Sequence, residues 1–300
     1  MRIATTLGGI CIVRNARDLI AFSCGHYLRI GLGHVRFIDD GSSDGTYEFL
    51  TKLARKEPRL SVSRVCFSEF RQPELMSEAA NELLRSFSMI LPFDVDEFWN
   101  IHGPSLENAY AQQPDILLVG KWINFVQSDR ATKPRAVYLL GVKHAAPILS
   151  DANQATITTL KRPFVCFSTT KVGFKSTQPV ALGIGQHELT RGPTEQGPHT
   201  YEIFHLPFTN KSQLITRAED HEPRRAPLRG DPAVNWQSRF FREAVLAGRT
   251  DDLWRANSAD KNGFLNCHGE RIELKPDHRL QTLFLKGYAH LVRQHQMFLL

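Results

Sequence analysis

The sequence is most informative first in what it lacks. No window of its 300 residues reaches the roughly 18 uninterrupted apolar positions of a membrane-spanning helix, so a polytopic membrane protein is excluded. Cysteine is sparse: Cys11, Cys24, Cys66, Cys166 and Cys267 are widely spaced and form no CxxC pair. That excludes a disulfide scaffold or zinc ribbon and favours a reducing compartment, with Cys267 and His268 left as a small thiol and its neighbour rather than half a metal site. No internal repeat is present, and 42% hydrophobic with 23% charged residues is a globular composition, not a disordered or collagen-like one. The short apolar run before Val13 meets Arg14, Asn15, Arg17 and Asp18 without a small-residue cleavage pattern. It reads as a first β-strand and not a signal peptide, which places the expected location in the cytoplasm.

What is present begins with charge. Lys and Arg number 37 against 31 Asp and Glu, a formal +6 that points to an anionic partner without choosing among nucleic acid, a phosphorylated substrate and a membrane surface. No RNP, helix-turn-helix or zinc-finger pattern accompanies the charge, so nucleic acid is not expected. The segment from Leu280 to Leu300, directly after Arg279, mixes Leu, Phe, Tyr and Val with Lys286, Arg293 and two histidines at partly helical spacing. It reads as a packed terminal helix whose basic character leaves peripheral association with an anionic membrane open.

Along the chain, short apolar runs alternate with helical patterns, the signature of an α/β domain on a mostly parallel sheet. Strands are expected at Ile10–Val13, His34–Ile38, Leu60–Val65, Ser88–Asp94 and Asp115–Val119. Helices are expected around Leu19–Ile30, Tyr47–Arg55 and Leu75–Phe87, the last carrying apolar residues at every fourth position. From about residue 126 the pattern weakens, with β-like pieces at Ile157–Leu160 and Phe164–Phe167; three prolines in the charged run 219–235 read as a solvated loop before a helical C-terminal region.

Two segments carry chemistry. Phe93-Asp94-Val95-Asp96-Glu97-Phe98-Trp99 drives an apolar strand into three carboxylates in four positions, which is unfavourable unless something positive sits there. In an extended chain Asp94 and Asp96 would project to one face, with Val95 turned to the core, and two oxygen ligands at a strand end are how Mg²⁺ or Mn²⁺ is held. A solvated acidic turn is the plainer alternative. The second segment, Phe37-Ile38-Asp39-Asp40-Gly41-Ser42-Ser43-Asp44-Gly45-Thr46, follows a strand and precedes a helix. A carboxylate there accepts from a ring N–H or a ribose hydroxyl, while Asp44 or Thr46 caps the helix; capping alone would explain the turn equally well.

Together the segments resemble the family 2 glycosyltransferases of GT-A fold. The likeness runs through IVRNARDLI, the helix containing GHYLRIGLGHV, FIDDGSSDGTYEFL and ILPFDVDEFW; it covers about residues 8–125 well and continues loosely to about 218. It implies a Rossmann-like nucleotide-diphospho-sugar transferase domain over 1–218, divided into a nucleotide-binding half (1–125) and an acceptor-side half (126–218), and a C-terminal extension over 219–300. The implied reaction is inverting transfer from a nucleoside-diphosphate sugar, UDP-sugar foremost, to a carbohydrate or lipid-linked hydroxyl with Mn²⁺ or Mg²⁺, in cell-surface polysaccharide or glycoconjugate synthesis.

Carried over residue by residue, the resemblance places Arg14, Asn15 and Asp39 or Asp40 at the nucleoside, Asp94 near the ribose or sugar, and Asp94 and Asp96 at the metal. His205, in Phe204-His205-Leu206-Pro207-Phe208 ahead of Lys211-Ser212-Gln213, becomes a further metal or diphosphate contact. Lys171-Val172-Gly173-Phe174-Lys175 with Gly185-Gln186-His187 lines the donor or acceptor pocket. Glu97, His187, Glu188 and Asp220 are candidates for the base, with Glu97 alternatively an anchor beneath the turn. One departure is Ala16, where the family usually has an acidic residue; it motivates the alternative of a catalytically degenerate nucleotide-sugar-binding module. The second half is rich in Lys161, Arg162, Lys171, Lys175, Arg191, Lys211 and Arg217, which suits a diphosphate-handling wall.

Overall fold

The computed structural model describes residues 7–66, 71–225 and 236–296, with the backbone alone described at 104 and 220–225. The first half alternates strand and helix as the periodicity predicts: β1 (Leu7–Val13), α1 (Ile20–Arg29), β2 (His34–Asp40), α2 (Thr46–Ala54), β3 (Leu60–Val65), α3 (Gln72–Leu83) and β4 (Met89–Pro92). These strands lie in the order β3-β2-β1-β4, all parallel. β1 is an almost unbroken apolar run because both faces of a parallel strand are covered.

Beyond β4 come β5 (Glu97–Trp99), α4 (Gly103–Ala109), β6 (Ile116–Val126), α5 (Ala136–Leu139), β7 (His144–Ala145), α6 (Gln154–Thr158), β8 (Thr170–Lys175), β9 (Ala181–Leu182), β10 (Leu189–Arg191) and β11 (Gln196–His205). β8 bridges β4 and β6 by antiparallel pairing, and so joins the parallel half to the rest of the sheet. β11 runs parallel to β6 and antiparallel to the short β5. The chain closes with α7 (Lys211–Arg225), α8 (Trp236–Leu246), α9 (Thr250–Ala256), β12 (Phe264–Cys267), β13 (Glu270–Glu273), β14 (Lys275–Pro276) and α10 (Arg279–His295).

α10 is the packed terminal helix expected from its spacing. It crosses α1 so closely that a Cβ on Gly25 would come within 2.3 Å of the Gly287 carbonyl oxygen, which is why both helices carry glycine there. Phe284 packs against Phe22 and Phe98 at ring-centroid distances of 4.8 and 5.0 Å. A second apolar core joins Val126, Phe164 and Phe208 to Phe240, Phe241, Trp254 and Leu265, so the C-terminal elements pack on the residues that follow β6.

Three sequence expectations are corrected. Ile157–Leu160 is not β-like: Asn153 caps α6 by accepting from the Thr156 N–H at 3.2 Å, and Thr156 Oγ1 accepts from the Asn153 N–H at 3.0 Å, a reciprocal cap that overrides the β-branched composition. Phe164–Phe167 is not a strand but begins with a 3₁₀ turn, Phe164–Cys166, buried in the second core. The run 219–235 does not open as a loop, since α7 continues through Arg225; residues 226–235 lie outside the described part.

Candidate functional site

In the order β3-β2-β1-β4 the chain leaves β1 in one direction and returns to its other side, making the carboxyl ends of β1 and β4 the reversal point where open α/β sheets bind ligands. The turns after β1, β2 and β4 meet there, and they contain most of the candidate residues.

The β1 and β2 turns are laced together. The Asn15 N–H donates to Ser42 Oγ at 3.0 Å, Asn15 Oδ1 accepts from the Ser43 N–H at 2.9 Å, and the Ala16 N–H donates to Thr46 Oγ1 at 2.9 Å. Asp44 accepts from the backbone N–H groups of Arg17 and Thr46 and from the Thr46 hydroxyl, at 2.9, 3.0 and 2.6 Å, which is its capping role. Arg14 donates to the carbonyls of Asp40 and Gly41 at 2.6 and 3.2 Å, thereby holding the turn. Asp40 is half-buried at the edge, while Asp39 is wholly buried. Asp39 Oδ1 accepts from the Ser42 N–H at 3.1 Å and lies 3.5 Å from Arg64 Nε; Oδ2 has no hydrogen-bond partner among the described residues. A buried carboxylate oxygen without a donor is costly and marks a position where a ligand N–H or O–H would be gained.

The Asp94–Glu97 segment is a turn closed by the Glu97 N–H on the Asp94 carbonyl at 3.0 Å, not an extended strand end. Asp94 and Asp96 consequently face different partners, a correction to the same-face expectation, although Val95 does pack partly against the core. Lys171 Nζ lies 2.6 Å from Asp94 Oδ2, 3.0 Å from Glu97 Oε1 and 3.2 Å from Gln186 Oε1. Glu97 also accepts from the Trp122 indole N–H at 2.9 Å and from the Asp94 N–H at 3.0 Å, so it anchors the turn from beneath with no solvent exposure. Burial pushes its carboxyl up, to about 8, against the pull of Lys171, while the two carboxylates hold Lys171 protonated despite its own burial.

Asp96 stands on the other side of the turn. Pairing of β5 with β11 and of β11 with β6 sets Glu97, His205 and Asn124 in one row across three strands. His205 stacks on Trp122 at 3.9 Å, and its Nδ1 lies 2.7 Å from Asn124 Oδ1. The Asn124 amide nitrogen donates to the carbonyls of Val165 and Phe167 at 2.9 and 2.5 Å, which fixes its oxygen toward the histidine and makes Nδ1 the protonated nitrogen. The unprotonated Nε2 then lies 3.9 Å from Asp96 Oδ2. Burial, reinforced by Lys171 and Arg217, keeps the imidazole neutral far below its usual range.

Asp96 and His205 offer the donor types of a divalent-cation site: a neutral imidazole nitrogen and a carboxylate oxygen, 3.9 Å apart, which would close to about 3 Å to take adjacent octahedral positions, with the second ring nitrogen held by a hydrogen-bond acceptor as in metal-ligating histidines. Among the described residues no group of three or more His, Cys, Asp or Glu side chains converges on one point. Two protein ligands with the remainder from water and substrate phosphates is the pattern of Mg²⁺ and Mn²⁺ sites.

His187 Nδ1 lies 2.6 Å from the Thr170 carbonyl and must donate to it, leaving Nε2 as the basic nitrogen; the residue is exposed and its ring meets the Trp122 edge at 6.0 Å. Glu188 is exposed beside it, and the Asp220 side chain lies outside the described part. No family model and no curated protein matches the sequence. Among solved structures the chain is similar to residues 1–349 of TarS from S. aureus (14% identity, TM-score 0.37), covering 71% of this chain but only 63% of that one. It is also similar to the mannosyltransferase PcManGT from Pyrobaculum calidifontis in complex with GDP-Man and Mn²⁺, at 16% identity and TM-score 0.36, over 100% of this chain and 77% of that one.

Sequence reasoning missed the roles of Asn124, Trp122 and Asp18, and it set Arg217 among the basic residues of the second half without its contact to Asp96. Trp122 and Asn124 share one face of β6, and an asparagine on the apolar face opposite Lys121 is the signal that could have found it. Ala16 is buried, and the nearby acid is Asp18, whose Oδ2 accepts from the Thr209 hydroxyl at 2.5 Å and from the Asn210 amide at 3.2 Å. Asp18 thus ties the start of α1 to the segment leading into α7, and burial raises its pKa.

Proposed function

We propose that the protein is a metal-dependent glycosyltransferase that moves a sugar from a nucleoside-diphosphate sugar to a hydroxyl acceptor with inversion. The observation that carries this reading is the Asp96 Oδ2–His205 Nε2 pair, 3.9 Å apart, at the same sheet edge as the unpartnered Asp39 oxygen. One is a seat for a cation; the other accepts from a nucleobase or ribose.

Asp96 and His205 would hold Mn²⁺ or Mg²⁺, which when bound neutralises charge developing on the diphosphate leaving group. Asp39 would accept from the donor's base or ribose, with uracil the expected base, and Asp40, Arg14 and Asn15 would shape that wall. Asp94, drawn away by Lys171, would face the ribose or sugar rather than the cation. His187 would take the acceptor proton on Nε2 as the new C–O bond forms and the anomeric bond to the diphosphate breaks, with the electron pair leaving on the nucleoside diphosphate. Glu97 is disfavoured as that base because it is buried and already accepts from three donors. The acceptor would be carbohydrate or lipid-linked. No helix of the described residues is long and apolar enough to cross a membrane, and cytoplasmic placement with peripheral contact to an anionic surface belongs to the same reading.

The test is thermal stability with UDP-, GDP- and dTDP-sugars, with and without Mn²⁺, followed by product detection on hydroxyl acceptors. We expect one donor class to stabilise the protein only with Mn²⁺, and Asp96→Ala to abolish both this shift and turnover while remaining folded. No shift with any donor, or full turnover in Asp96→Ala, overturns the reading.

A further inference from the structure

Arg217 occupies the carboxylate oxygen that the cation needs. Its Nη2 donates to Asp96 Oδ2 at 2.8 Å, the same oxygen that lies 3.9 Å from His205 Nε2, while its Nη1 is held by the Pro207 carbonyl at 2.8 Å. We propose that Arg217 is an exchangeable counter-ion: it neutralises Asp96 when no metal is bound, then releases that oxygen to the cation and turns to the donor's diphosphate. This rests on the reading of Asp96 and His205 as the metal pair.

Asp96 is 6% exposed, and a buried carboxylate without a positive partner is strongly unfavourable, so the metal-free protein needs a cation there. A guanidinium and a divalent ion on the same carboxylate oxygen repel one another, so a cation gains Asp96 at the expense of the Arg217 contact. Arg217 can leave, because its side chain retains 26% exposure and projects from α7 at the edge of the site rather than from the sheet beneath it. A planar, permanently charged fork released beside a metal-bound diphosphate meets the anion whose geometry it matches best. Arg217 is therefore a competitor of the metal alone and a partner of metal with diphosphate, two effects of opposite sign that a purely structural salt bridge would not produce.

The experiment is a titration of free Mn²⁺ by electron paramagnetic resonance in the wild-type protein, Arg217→Met, Arg217→Lys and Asp96→Asn, with and without inorganic pyrophosphate, with circular dichroism confirming the fold of each. Removing an opposing charge at this range is expected to tighten binding of Mn²⁺ alone by about tenfold in Arg217→Met, and to weaken uptake of pyrophosphate by the Mn²⁺-loaded protein by a similar factor. Arg217→Lys, which keeps the charge, should lie closer to wild type in both. Equal or weaker Mn²⁺ affinity in a folded Arg217→Met overturns the exchange while leaving the metal pair standing. Absence of Mn²⁺ binding in wild type and Arg217→Met, or binding indifferent to Asp96→Asn, overturns the metal reading itself and the exchange with it.

Discussion

The Lys171 ammonium lies 2.6 Å from Asp94 Oδ2 and, with 1% side-chain exposure, is sealed beneath the turn whose shape it sets. One cation serves two carboxylates there, since Glu97 Oε1 is 3.0 Å away and has no exposure either. Truncation to Lys171→Met leaves the sealed Glu97 and the partly exposed Asp94 without their cation. We expect a loss of about 3–5 kcal/mol in urea unfolding, because breaking a buried pair leaves an uncompensated charge. The double variant Lys171→Met/Glu97→Gln should recover part of that loss. A single variant as stable as wild type would show that the ammonium is not a structural counter-ion.

Asp39 should behave in the opposite way. Its Oδ2 is buried without a donor among the described residues, so folding bears a desolvation cost there that a ligand donor would relieve. In Asp39→Asn the amide oxygen can keep the Ser42 N–H bond while the ligand-facing acceptor becomes a donor. Stability should hold or rise, and affinity for UDP by isothermal titration calorimetry should fall by about 10- to 100-fold, the range for a lost hydrogen bond to a charged group. Unchanged affinity would remove Asp39 from the nucleoside site.

These two residues also mark what was readable before the structure. Asp39 lies in a strand–turn–helix segment whose apolar period and Gly, Ser and Asp content are local, and from β1 to β4 the alternating pattern located each strand and helix correctly in order. Lys171 is 77 positions from Asp94, and Asn124 is 81 from His205. Such partnerships are made by sheet register, which no local period encodes. The same limit explains β5: three residues are too few to alternate, yet their pairing with β11 sets Glu97 opposite His205. The Asp94–Asp96 geometry failed for a related reason. An apolar run into acidic residues reads as a strand continuing, whereas the Glu97 side chain accepting from the Asp94 N–H folds the chain back on itself.

His187 offers a test that separates chemistry from binding. Its Nδ1 is committed to the Thr170 carbonyl at 2.6 Å, and partial desolvation of the ring against its neighbours, although the residue reaches the surface, together with Lys171 lowers its pKa, so the neutral form with Nε2 free prevails at pH 7. Glutamine at this position can still donate to Thr170 but cannot take a proton. We expect His187→Gln to lower kcat by about 10²–10⁴-fold, the usual contribution of a general base, with donor-induced thermal stabilisation unchanged. In wild type the rate should fall on acidification as Nε2 is protonated. A loss below about tenfold would assign the proton to another group.

A last prediction concerns stability against pH. His26 is buried with 1% exposure; its Nε2 lies 3.0 Å from the Trp99 carbonyl, and its ring packs edge-on against Tyr27 and Phe98. Burial, with Arg29 a smaller contributor, lowers its pKa from 6.5 to about 3. The unfolded chain therefore binds a proton below pH 6.5 that the folded protein refuses, and stability from this residue is complete above 6.5 and drains away as the pH falls toward 3. The slope is about 1.4 kcal/mol per pH unit for one such group. Glutamine can donate to the Trp99 carbonyl without titrating, so in urea unfolding between pH 7 and pH 5 wild type should lose about 2 kcal/mol more than His26→Gln. Parallel losses in the two proteins would mean that His26 is protonated in the folded state, which its burial against two aromatic rings forbids.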